Sequence, residues 1–458
     1  MTLASVAEPV ALAASSAEPA HGASPSPAST PSSGTSPPSG LYVHIPFCFS
    51  ICPYCDFVVY AGRAARGSAS QVERFVAALE VELGLRADAL DAAWGPPTGM
   101  RALAGSGPSP GNSAPGGDGG TGDRPPLRTL YLGGGTPSLL PAATIRRLIE
   151  LVRRRFGLAD GAEITLEVNP GRDERGDARA IRAAGVTRLS IGAQSFDPAE
   201  LRALGRRHDP AEVAATVAAA REAGIESVSL DLLYDVSGQT LGSWGRSLDA
   251  ALALEPDHVS LYALTLDDPD AEGITGALGD HLPLRDGARM WRTRARAGQD
   301  EDRAAAMYEL ADDRLAAAGL DWYEISNWAR PGHESRHNLG YWGNDPWEAV
   351  GPGAHAFDGE TRRWNAARLD GYLDALLPSD GSAAVLPPGM SSEPEPGEAA
   401  ILALRTRVGL PRSALHDPGP GEALGWAIDS GLLAELRDRL VLTRRGRLLS
   451  NEVFARLV

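Results

Sequence analysis

The three cysteines of this chain limit what it can fold into more than any other feature. Cys48, Cys52 and Cys55 are the only cysteines in 458 residues, and they lie in the segment 41–60, LYVHIPFCFSICPYCDFVVY. The spacing C-x3-C-x2-C on a short loop lets three thiolates converge on an iron-sulfur cluster, and one iron is then left without a protein ligand. A closed structural zinc site requires four ligands. We therefore predict a cluster with one open iron, which a small molecule with an amine and a carboxylate can chelate.

Two alternatives stay open at this point. One is a zinc ion held by the three cysteines and His44, and the other is three unrelated thiols. Structural zinc usually occurs in paired cysteine knuckles, and the sequence has no second knuckle, which favours the cluster. S-adenosylmethionine (SAM) is the cofactor that chelates an open cluster iron in radical chemistry, so we expect SAM beside the cluster.

Composition excludes several classes of protein. Lys and Arg total 43 against 59 Asp and Glu, and the formal net charge of −16 argues against broad binding of nucleic acid or of an anionic membrane. Because every cysteine belongs to one cluster motif, no disulfide framework is available, and an oxygen-sensitive cluster fits the reducing cytoplasm. No run of about 18 apolar residues is present, so we expect no membrane span.

Alternating strand and helix patterns predict an α/β fold. Residues 1–40 are rich in Ala, Ser, Pro and Gly and predict a disordered tail without the pattern of a signal peptide, and residues 91–126 form a Gly/Pro-rich insertion. Apolar runs, most of them followed by a helical pattern, predict strands at Leu41–Ile45, Thr129–Leu132, Ile164–Val168, Arg188–Ile191, Ser227–Leu233 and Asp257–Ala263. About six such units indicate an open, partial (β/α)6 barrel of the TIM type, because strand-helix pairs stop after about Leu264.

Three features at or near strand ends are candidate ligand contacts. The turn Gly133–Gly135 exposes backbone groups that a charged ligand can approach. The same glycines are also typical of an ordinary strand-to-helix turn that binds no ligand. Glu167 ends a strand and can accept hydrogen bonds from a ligand, or it is a solvated loop acid. Asp231 lies in an apolar strand, where a carboxylate is costly unless it is paired or faces a ligand.

These motifs resemble the radical SAM superfamily, and within it the branch of oxygen-independent coproporphyrinogen III oxidases and their haem-chaperone relatives of the HemW type. The similar segments are YVHIPFC at 42–48, GGGTPS at 133–138, EVNP at 167–170, SIGAQSF at 190–196 and LGRRH at 204–208, the last of which we place on a helix. The resemblance implies a [4Fe-4S] cluster on the cysteines and a SAM pocket formed by Tyr42, Tyr54, Gly134, Gly135, Thr136, Glu167, Gln194, Arg206 and Asp231. The chain departs from the family's YGLPGQT at 234–240, where it has YDVSGQT.

A second motif, RHNLGYW at 336–342, combines an imidazole, an amide and two aromatic rings. Such a set can ligate a haem iron and stack on a porphyrin, or it can form a packed aromatic turn around a hydrogen-bonded histidine. It resembles the HNxxYW motif proposed to bind haem in the chaperone group. By that resemblance His337 is the first candidate for an axial haem ligand, and His355 is the second.

The predicted domains are the tail 1–40, a radical SAM core at 41–265, a barrel extension at 266–393 and a helical, winged-helix-like domain at 394–458. The acidic balance argues against DNA binding by that last domain.

The resemblance leaves two functions. One is a chaperone that passes haem to acceptor proteins, respiratory membrane complexes among them, and the other is a coproporphyrinogen III oxidase. The oxidases continue the motif to a fourth cysteine where this chain has Phe57, and they carry an N-terminal extension unlike residues 1–40. The chaperone is therefore favoured, while SAM turnover and oligomeric state stay open.

Overall fold

The computed structural model describes residues 35–65, 70–98 and 123–458 of the chain. Most of the predicted tail, residues 1–34, and the central part of the predicted Gly/Pro-rich insertion, residues 99–122, lie outside the described residues. In the described part of the chain, no helix combines the length and the apolar composition that crossing a membrane requires.

Six parallel strands form the centre of one sheet, and they follow one another across the sheet in chain order. The strands are β1 (Gly40–Ile45), β2 (Leu127–Gly134), β3 (Leu158–Val168), β4 (Arg188–Gln194), β5 (Ser227–Tyr234) and β6 (His258–Ala263). Leu41 pairs with Leu130 across β1 and β2, and the parallel pairing continues to β6. The predicted (β/α)6 arrangement is confirmed.

Alternate residues of each strand face opposite sides of the sheet, and the sequence assigns a different chemistry to each side. In β5, Leu230 and Leu232 lie in the hydrophobic core, whereas Asp231 between them lines a cavity. In β1, Leu41 is in the core and Tyr42 lines the same cavity. Burial of the apolar side against helices stabilises the sheet, which leaves the polar side free to form a site.

The helices of the β/α units cover the apolar side of the sheet. They are α1 (Val72–Trp94), α2 (Ala142–Arg155), α3 (Ala178–Ala183), α4 (Pro198–Ala203), α5 (Pro210–Glu222) and α6 (Leu241–Leu252), with one turn of 3-10 helix at Pro137–Leu139. The start of α5 is fixed by a capping box, in which the Asp209 side chain accepts from the Glu212 backbone and the Glu212 side chain accepts from the Asp209 backbone.

The prediction that residues 204–208 lie on a helix is wrong. Helix α4 ends at Ala203, and Gly205 adopts a left-handed conformation with φ of 71°. A Cβ atom on Gly205 would lie 2.9 Å from Cδ of Pro53 in the cysteine loop, so close contact between the two segments requires glycine here. The chain therefore leaves the helix just before Arg206, and the Arg206 side chain points into the cavity region.

Residues 266–393 extend the same sheet at both edges. Their elements are α7 (Asp286–Arg296), α8 (Glu301–Ala317), β7 (Asp321–Glu324), β8 (Asn327–Ala329), α9 (Arg336–Trp342), β9 (Trp347–Val350), β10 (His355–Phe357), β11 (Arg362–Asn365), α10 (Leu369–Leu376) and β12 (Gly389–Ser392). The full strand order is β12-β11-β10-β9-β1-β2-β3-β4-β5-β6-β8-β7. Strand β9 is parallel to β1, whereas β8 is antiparallel to β6, so the regular β/α pattern ends after β6 as predicted.

The C-terminal residues form a smaller unit with its own hydrophobic core. It contains α11 (Glu398–Leu404), β13 (Leu410–Pro411), a 3-10 turn at Arg412–His416, α12 (Pro420–Asp429), β14 (Leu433–Leu436), β15 (Arg439–Leu442), α13 (Arg444–Leu448) and α14 (Ser450–Phe454). Strands β14 and β15 pair antiparallel across a short turn. This unit reaches the aromatic motif, because Leu402 packs on Trp342 and the Arg405 guanidinium lies 4.4 Å from the centroid of a Trp342 ring.

Candidate cofactor site and cavity

The cysteine loop follows β1 directly and closes on itself through backbone hydrogen bonds. The Cys48 amide donates to Tyr60 O (3.1 Å), and the Tyr60 amide donates to Pro46 O (2.6 Å). Cys48 is buried and the other two cysteines are partly exposed, and all three are free thiols that line one cavity. The loop therefore presents its three sulfur atoms toward a single space at the carboxyl end of the strand, where parallel α/β folds hold their ligands.

The electrostatics of these thiols fit a cationic cluster. Burial raises the pKa of Cys48 to about 12, and burial followed by the neighbouring Cys48 and Cys52 raises the pKa of Cys55 well above its usual value. Buried, adjacent thiolates repel one another, so they need a bound cation to remain deprotonated. Iron in a cluster supplies that positive charge.

A single zinc ion fits the same residues poorly. Both ring nitrogens of His44 already have partners, because Nε2 is 2.8 Å from Val58 O and Nδ1 is 3.0 Å from the Tyr42 hydroxyl. Within residues 35–65, 70–98 and 123–458, no three His, Cys, Asp or Glu side chains converge closely enough to hold one metal ion. Cluster cysteines bind different irons and so lie further apart than the ligands of one ion.

The glycine turn packs against the cysteine loop. A Cβ atom on Gly134, whose φ is 106°, would lie 2.5 Å from the His44 ring, and a Cβ atom on Gly135 would lie 2.7 Å from Phe47 O. The Gly135 amide donates to Ile45 O (2.9 Å), and the Thr136 amide donates to Phe47 O (2.8 Å). The glycines of GGGTPS thus allow two backbones to meet, in addition to leaving room for a ligand.

Glu167 lies at the end of β3 and binds this turn. Its Oε2 atom accepts from the Gly134 amide (2.8 Å), and its Oε1 atom accepts from the Tyr131 hydroxyl (2.9 Å). Glu167, Tyr131 and Gly134 all line the cavity. The sequence left open that Glu167 is a solvated loop acid. The structure differs, because these two donors fix the Glu167 carboxylate.

Asn169 connects two predicted site residues, Thr136 and Arg206, although we did not identify it from the sequence. Its Nδ2 atom donates to Thr136 Oγ1 (2.9 Å), and its Oδ1 atom accepts from Arg206 Nη2 (2.6 Å). Arg206 also donates from Nη2 to Gly192 O (2.8 Å), and its Nη1 atom lies 3.7 Å from Cys52 Sγ. The signal for Asn169 was its place in the EVNP segment, beside Glu167.

Gln194 and Asp231 line the cavity from β4 and β5. Gln194 has φ of 63°, a conformation that non-glycine residues adopt at a cost and that is frequent at ligand sites. Asp231 is held by the hydroxyl of Ser190, 2.9 Å from Oδ2, and by that of Ser229, 3.2 Å from Oδ1. Burial raises the pKa of Asp231, and these hydroxyl donors oppose the rise.

The remaining predicted residues lie around the same loop. Tyr54 packs in a small apolar cluster that includes Leu204 and Leu233, and it lines the cavity, as Tyr42 does. Asp235, the acid that departs from the family pattern, is buried and paired with Arg303, whose Nε atom donates to it over 3.1 Å. The substitution in that loop is thus compensated by an ion pair outside the cavity.

The aromatic motif forms helix α9, whose N-terminus is capped by the Ser335 side chain. His337 is buried, with Nδ1 2.8 Å from Thr129 Oγ1 and Nε2 2.8 Å from the Tyr341 hydroxyl. Its ring stacks on Tyr131 with centroids 5.2 Å apart. Burial lowers the pKa of His337 to about 3, so its imidazole is neutral. His337 is thus a hydrogen-bonded histidine in an aromatic turn, and both of its ring nitrogens are engaged.

His355 lies on β10 and faces an acid that we did not identify from the sequence. Its Nε2 atom is 2.8 Å from Asp280 Oδ2, and Nδ1 of His281 is 2.9 Å from the other oxygen of the same carboxylate. Asp280 carries no local motif that would have revealed it. His355 and His281 both line the cavity.

One cavity of about 420 Å³ joins the two predicted sites. It is lined by the three cysteines and by most of the predicted SAM residues, and equally by His337, Tyr341, Trp342 and His355. Its volume lies in the usual range for small-molecule sites. Sequence reasoning treated the two motifs as separate sites, whereas the fold brings them together around a single space.

A (β/α)6 sheet that carries an open three-cysteine loop beside a GGGTPS turn defines a radical SAM protein. The family model for the radical SAM superfamily matches residues 121–251. A solved structure of the coproporphyrinogen III oxidase HemN from Escherichia coli superposes with a TM-score of 0.67 at 22% identity, covering 92% of this chain and 90% of that one. The fold is therefore the HemN-type radical SAM fold, and the superfamily's cofactors are a [4Fe-4S] cluster and SAM.

Curated relatives identify the branch. "Heme chaperone HemW" of Mycobacterium tuberculosis is 38% identical over 423 residues, 92% of this chain and 94% of the relative. The proteins of the same name from Bacillus subtilis and Escherichia coli are 30% and 32% identical, covering 90% and 69% of this chain and 97% and 69% of their own lengths. The chain belongs to the HemW family of the radical SAM superfamily.

Proposed function

We propose that this protein is a haem chaperone that binds haem beside a [4Fe-4S] cluster and SAM and delivers the haem to acceptor proteins. The observation that carries the proposal is the shared cavity, which the cluster cysteines line together with Tyr341 and Trp342. Aromatic faces of this kind stack on planar ligands. The names of the curated relatives support the same function.

In this proposal Cys48, Cys52 and Cys55 hold the cluster, which when bound supplies an open iron and one electron. The Arg206 guanidinium lies beside Cys52 and offsets the negative charge of the thiolates. The proposed SAM pocket is lined by Tyr42, Tyr54, Gly134, Gly135, Thr136, Glu167, Gln194, Arg206 and Asp231. Of these, the carboxylates of Glu167 and Asp231 are fixed by neighbouring donors, so they are oriented before a ligand arrives.

His337 is the first candidate for the haem ligand by resemblance, and it can act only if it gives up one hydrogen bond. Nε2 can reach an iron only by leaving Tyr341, and the Tyr341 hydroxyl then loses that partner. An unmade buried hydrogen bond costs about 1–3 kcal/mol. Iron coordination offsets such a cost if the haem is positioned well by the aromatic walls.

The recipients in this proposal are haem-dependent proteins, including respiratory membrane complexes, and the location is the cytoplasm. The reducing cytoplasm protects an oxygen-sensitive cluster, and three free cysteines give no disulfide framework. The strongly acidic chain, with a formal net charge of −16, gives no basis for a nucleic-acid partner.

The test is a haem titration of the anaerobically reconstituted protein, followed at the Soret band. Haem adheres nonspecifically to apolar surfaces, so His337→Ala is titrated beside the exposed-histidine control His416→Ala. We expect saturation near one haem per chain in the wild type and the control, and weaker binding in His337→Ala. Haem-loaded protein is then mixed with an apo haem protein, whose Soret spectrum reports transfer.

The oxidase function is tested with the same reconstituted protein, given coproporphyrinogen III, SAM and a reductant. Release of carbon dioxide without saturable haem binding would replace the chaperone by the oxidase. SAM cleavage with neither result would indicate a radical enzyme that acts on another substrate.

A further inference from the structure

We propose that His355, held by Asp280, is the side chain that coordinates the haem iron, and that His337 supports the cavity wall. This inference rests on the proposed haem binding and names the residue that performs it. Family resemblance placed His337 first and His355 second as haem ligands, and this inference reverses that order. It is based on which imidazole nitrogens are available to bind iron.

His355 has the hydrogen-bond arrangement of an iron ligand. Its Nε2 atom lies 2.8 Å from a carboxylate oxygen of Asp280, which can only accept, so Nε2 carries the proton and Nδ1 carries a lone pair. Among the described residues Nδ1 has no hydrogen-bond partner, and the residue lines the cavity. Histidines that bind metals generally donate their other N–H to a carboxylate or carbonyl, which orients the ring and raises its basicity.

Asp280 is placed to orient His355. Its Oδ2 atom lies 2.8 Å from Nε2 of His355, and its Oδ1 atom lies 2.9 Å from Nδ1 of His281. A charged acceptor makes a stronger hydrogen bond to the His355 N–H than a neutral acceptor does. His281 occupies the second carboxylate oxygen, so Asp280 is held in place by two rings.

Two other cavity-lining histidines, His337 and His258, are less available. His337 uses both nitrogens, on Thr129 and Tyr341. His258 is buried and also uses both, with Nδ1 2.8 Å from Ser229 Oγ and Nε2 2.8 Å from the Tyr323 hydroxyl. The His355 side chain is partly exposed, whereas His337 is buried. An incoming iron can therefore reach His355 without breaking a hydrogen bond.

The His355 ring is also fixed in direction. It stacks on Trp364, its cross-strand partner, with centroids 5.5 Å apart and planes 19° apart. The Trp347 indole donates to His355 O over 2.8 Å. A Cβ atom on Gly353, whose φ is 73°, would lie 2.5 Å from Val58 Cγ2 and 3.1 Å from Asp280 O. The strand is therefore held close to both the cysteine loop and the acid.

The test compares His355→Ala, His337→Ala and the exposed control His416→Ala in haem titrations of the reconstituted protein. We expect His355→Ala to weaken haem binding about tenfold or more and to change the ferric absorption and EPR spectra, with partial recovery when free imidazole is added. Asp280→Asn should retain haem but raise its reduction potential, because a neutral amide donates less electron density through the imidazole. His337→Ala should keep the wild-type ligand-field spectrum even where its affinity falls.

The outcomes separate this inference from the proposed function. If the wild type binds one haem and His355→Ala keeps its spectrum and affinity while His337→Ala loses them, His337 is the ligand and the inference is wrong. If the wild type binds no haem saturably, the chaperone function itself fails. His355→Gln, which retains a donor for Asp280, serves as the second variant if the alanine variant folds poorly, and it should lose the wild-type spectrum in the same way.

Discussion

The hydroxyl oxygen of Thr136 lies 3.2 Å from the sulfur of Cys48, which links the glycine turn to the first cysteine of the cluster loop. The same oxygen accepts from Asn169 Nδ2 over 2.9 Å. Because that contact uses a lone pair of the oxygen, the hydroxyl proton is available to the sulfur. Hydrogen bonds to cluster sulfurs help to set the reduction potential.

Replacement of Thr136 by valine should therefore lower the reduction potential of the cluster without removing it. Valine preserves the shape of the side chain but donates nothing to Cys48, so the reduced cluster loses stabilisation. Anaerobic redox titration followed by EPR measures the change, with iron content determined in parallel. The exposed Thr293→Val is the control, and an unchanged potential in Thr136→Val would contradict the role given to this hydroxyl.

Replacement of Gly134 by alanine should destabilise the protein by about 2–5 kcal/mol, because it combines a left-handed backbone with overlap on the His44 ring. Gly161 provides a matched control, since its φ is 67° and a Cβ atom there meets nothing within 4 Å. Gly161→Ala should cost only the backbone term, about 1–2 kcal/mol. Urea unfolding followed by tryptophan fluorescence gives both values, and equal costs would show that the overlap with His44 is relieved.

Arg292 should protect the cluster, because its guanidinium fastens the cysteine loop to α7. It donates to Pro53 O (3.1 Å), to Cys55 O (3.1 Å) and to Asp56 Oδ1 (2.5 Å). Lysine keeps the positive charge but lacks the planar guanidinium with its several N–H donors. Arg292→Lys should therefore lose iron to a chelator about tenfold faster than the wild type. Absorbance of the cluster follows the loss. The exposed Arg294→Lys should lose iron at the wild-type rate. If Arg292→Lys also loses iron at the wild-type rate, the cysteine loop keeps its structure without the Arg292 hydrogen bonds.

Burial of His337 should make the stability of the protein fall in acid. Its pKa is about 3 in the folded protein against 6.5 for an ordinary histidine, so between these values the unfolded chain takes up a proton that the folded chain does not. The contribution is fully present above pH 6.5 and is lost progressively as the pH falls toward 3. At pH 5 the loss amounts to about 2 kcal/mol.

The measurement compares urea unfolding of the wild type and His337→Gln at pH 7 and pH 5. The wild type should lose about 2 kcal/mol more than the variant on acidification, because glutamine does not titrate. His416→Gln should parallel the wild type. If the wild type and His337→Gln change equally between the two pH values, His337 is not a buried neutral histidine.

Much of the fold could be predicted from local pattern. The alternation of apolar and polar residues in β5 predicted the strand, and it also predicted that Asp231 faces away from the apolar core. The reason is that successive side chains in a strand point to opposite faces of the sheet. The helix expected at residues 204–208 failed because Gly205 takes a left-handed conformation to contact Pro53. Nothing local distinguishes such a glycine from one that is merely tolerated near a helix end.

The sequence by itself determined the class of cofactor, because three cysteines at C-x3-C-x2-C define the cluster loop wherever it is placed. Only the tertiary structure decided which imidazoles are available. His337 meets Thr129 across 208 positions of the chain, and His355 on β10 meets Asp280 in the segment between β6 and α7. Such partners depend on strand order and register, which bring distant side chains within hydrogen-bonding distance, and no local spacing encodes them.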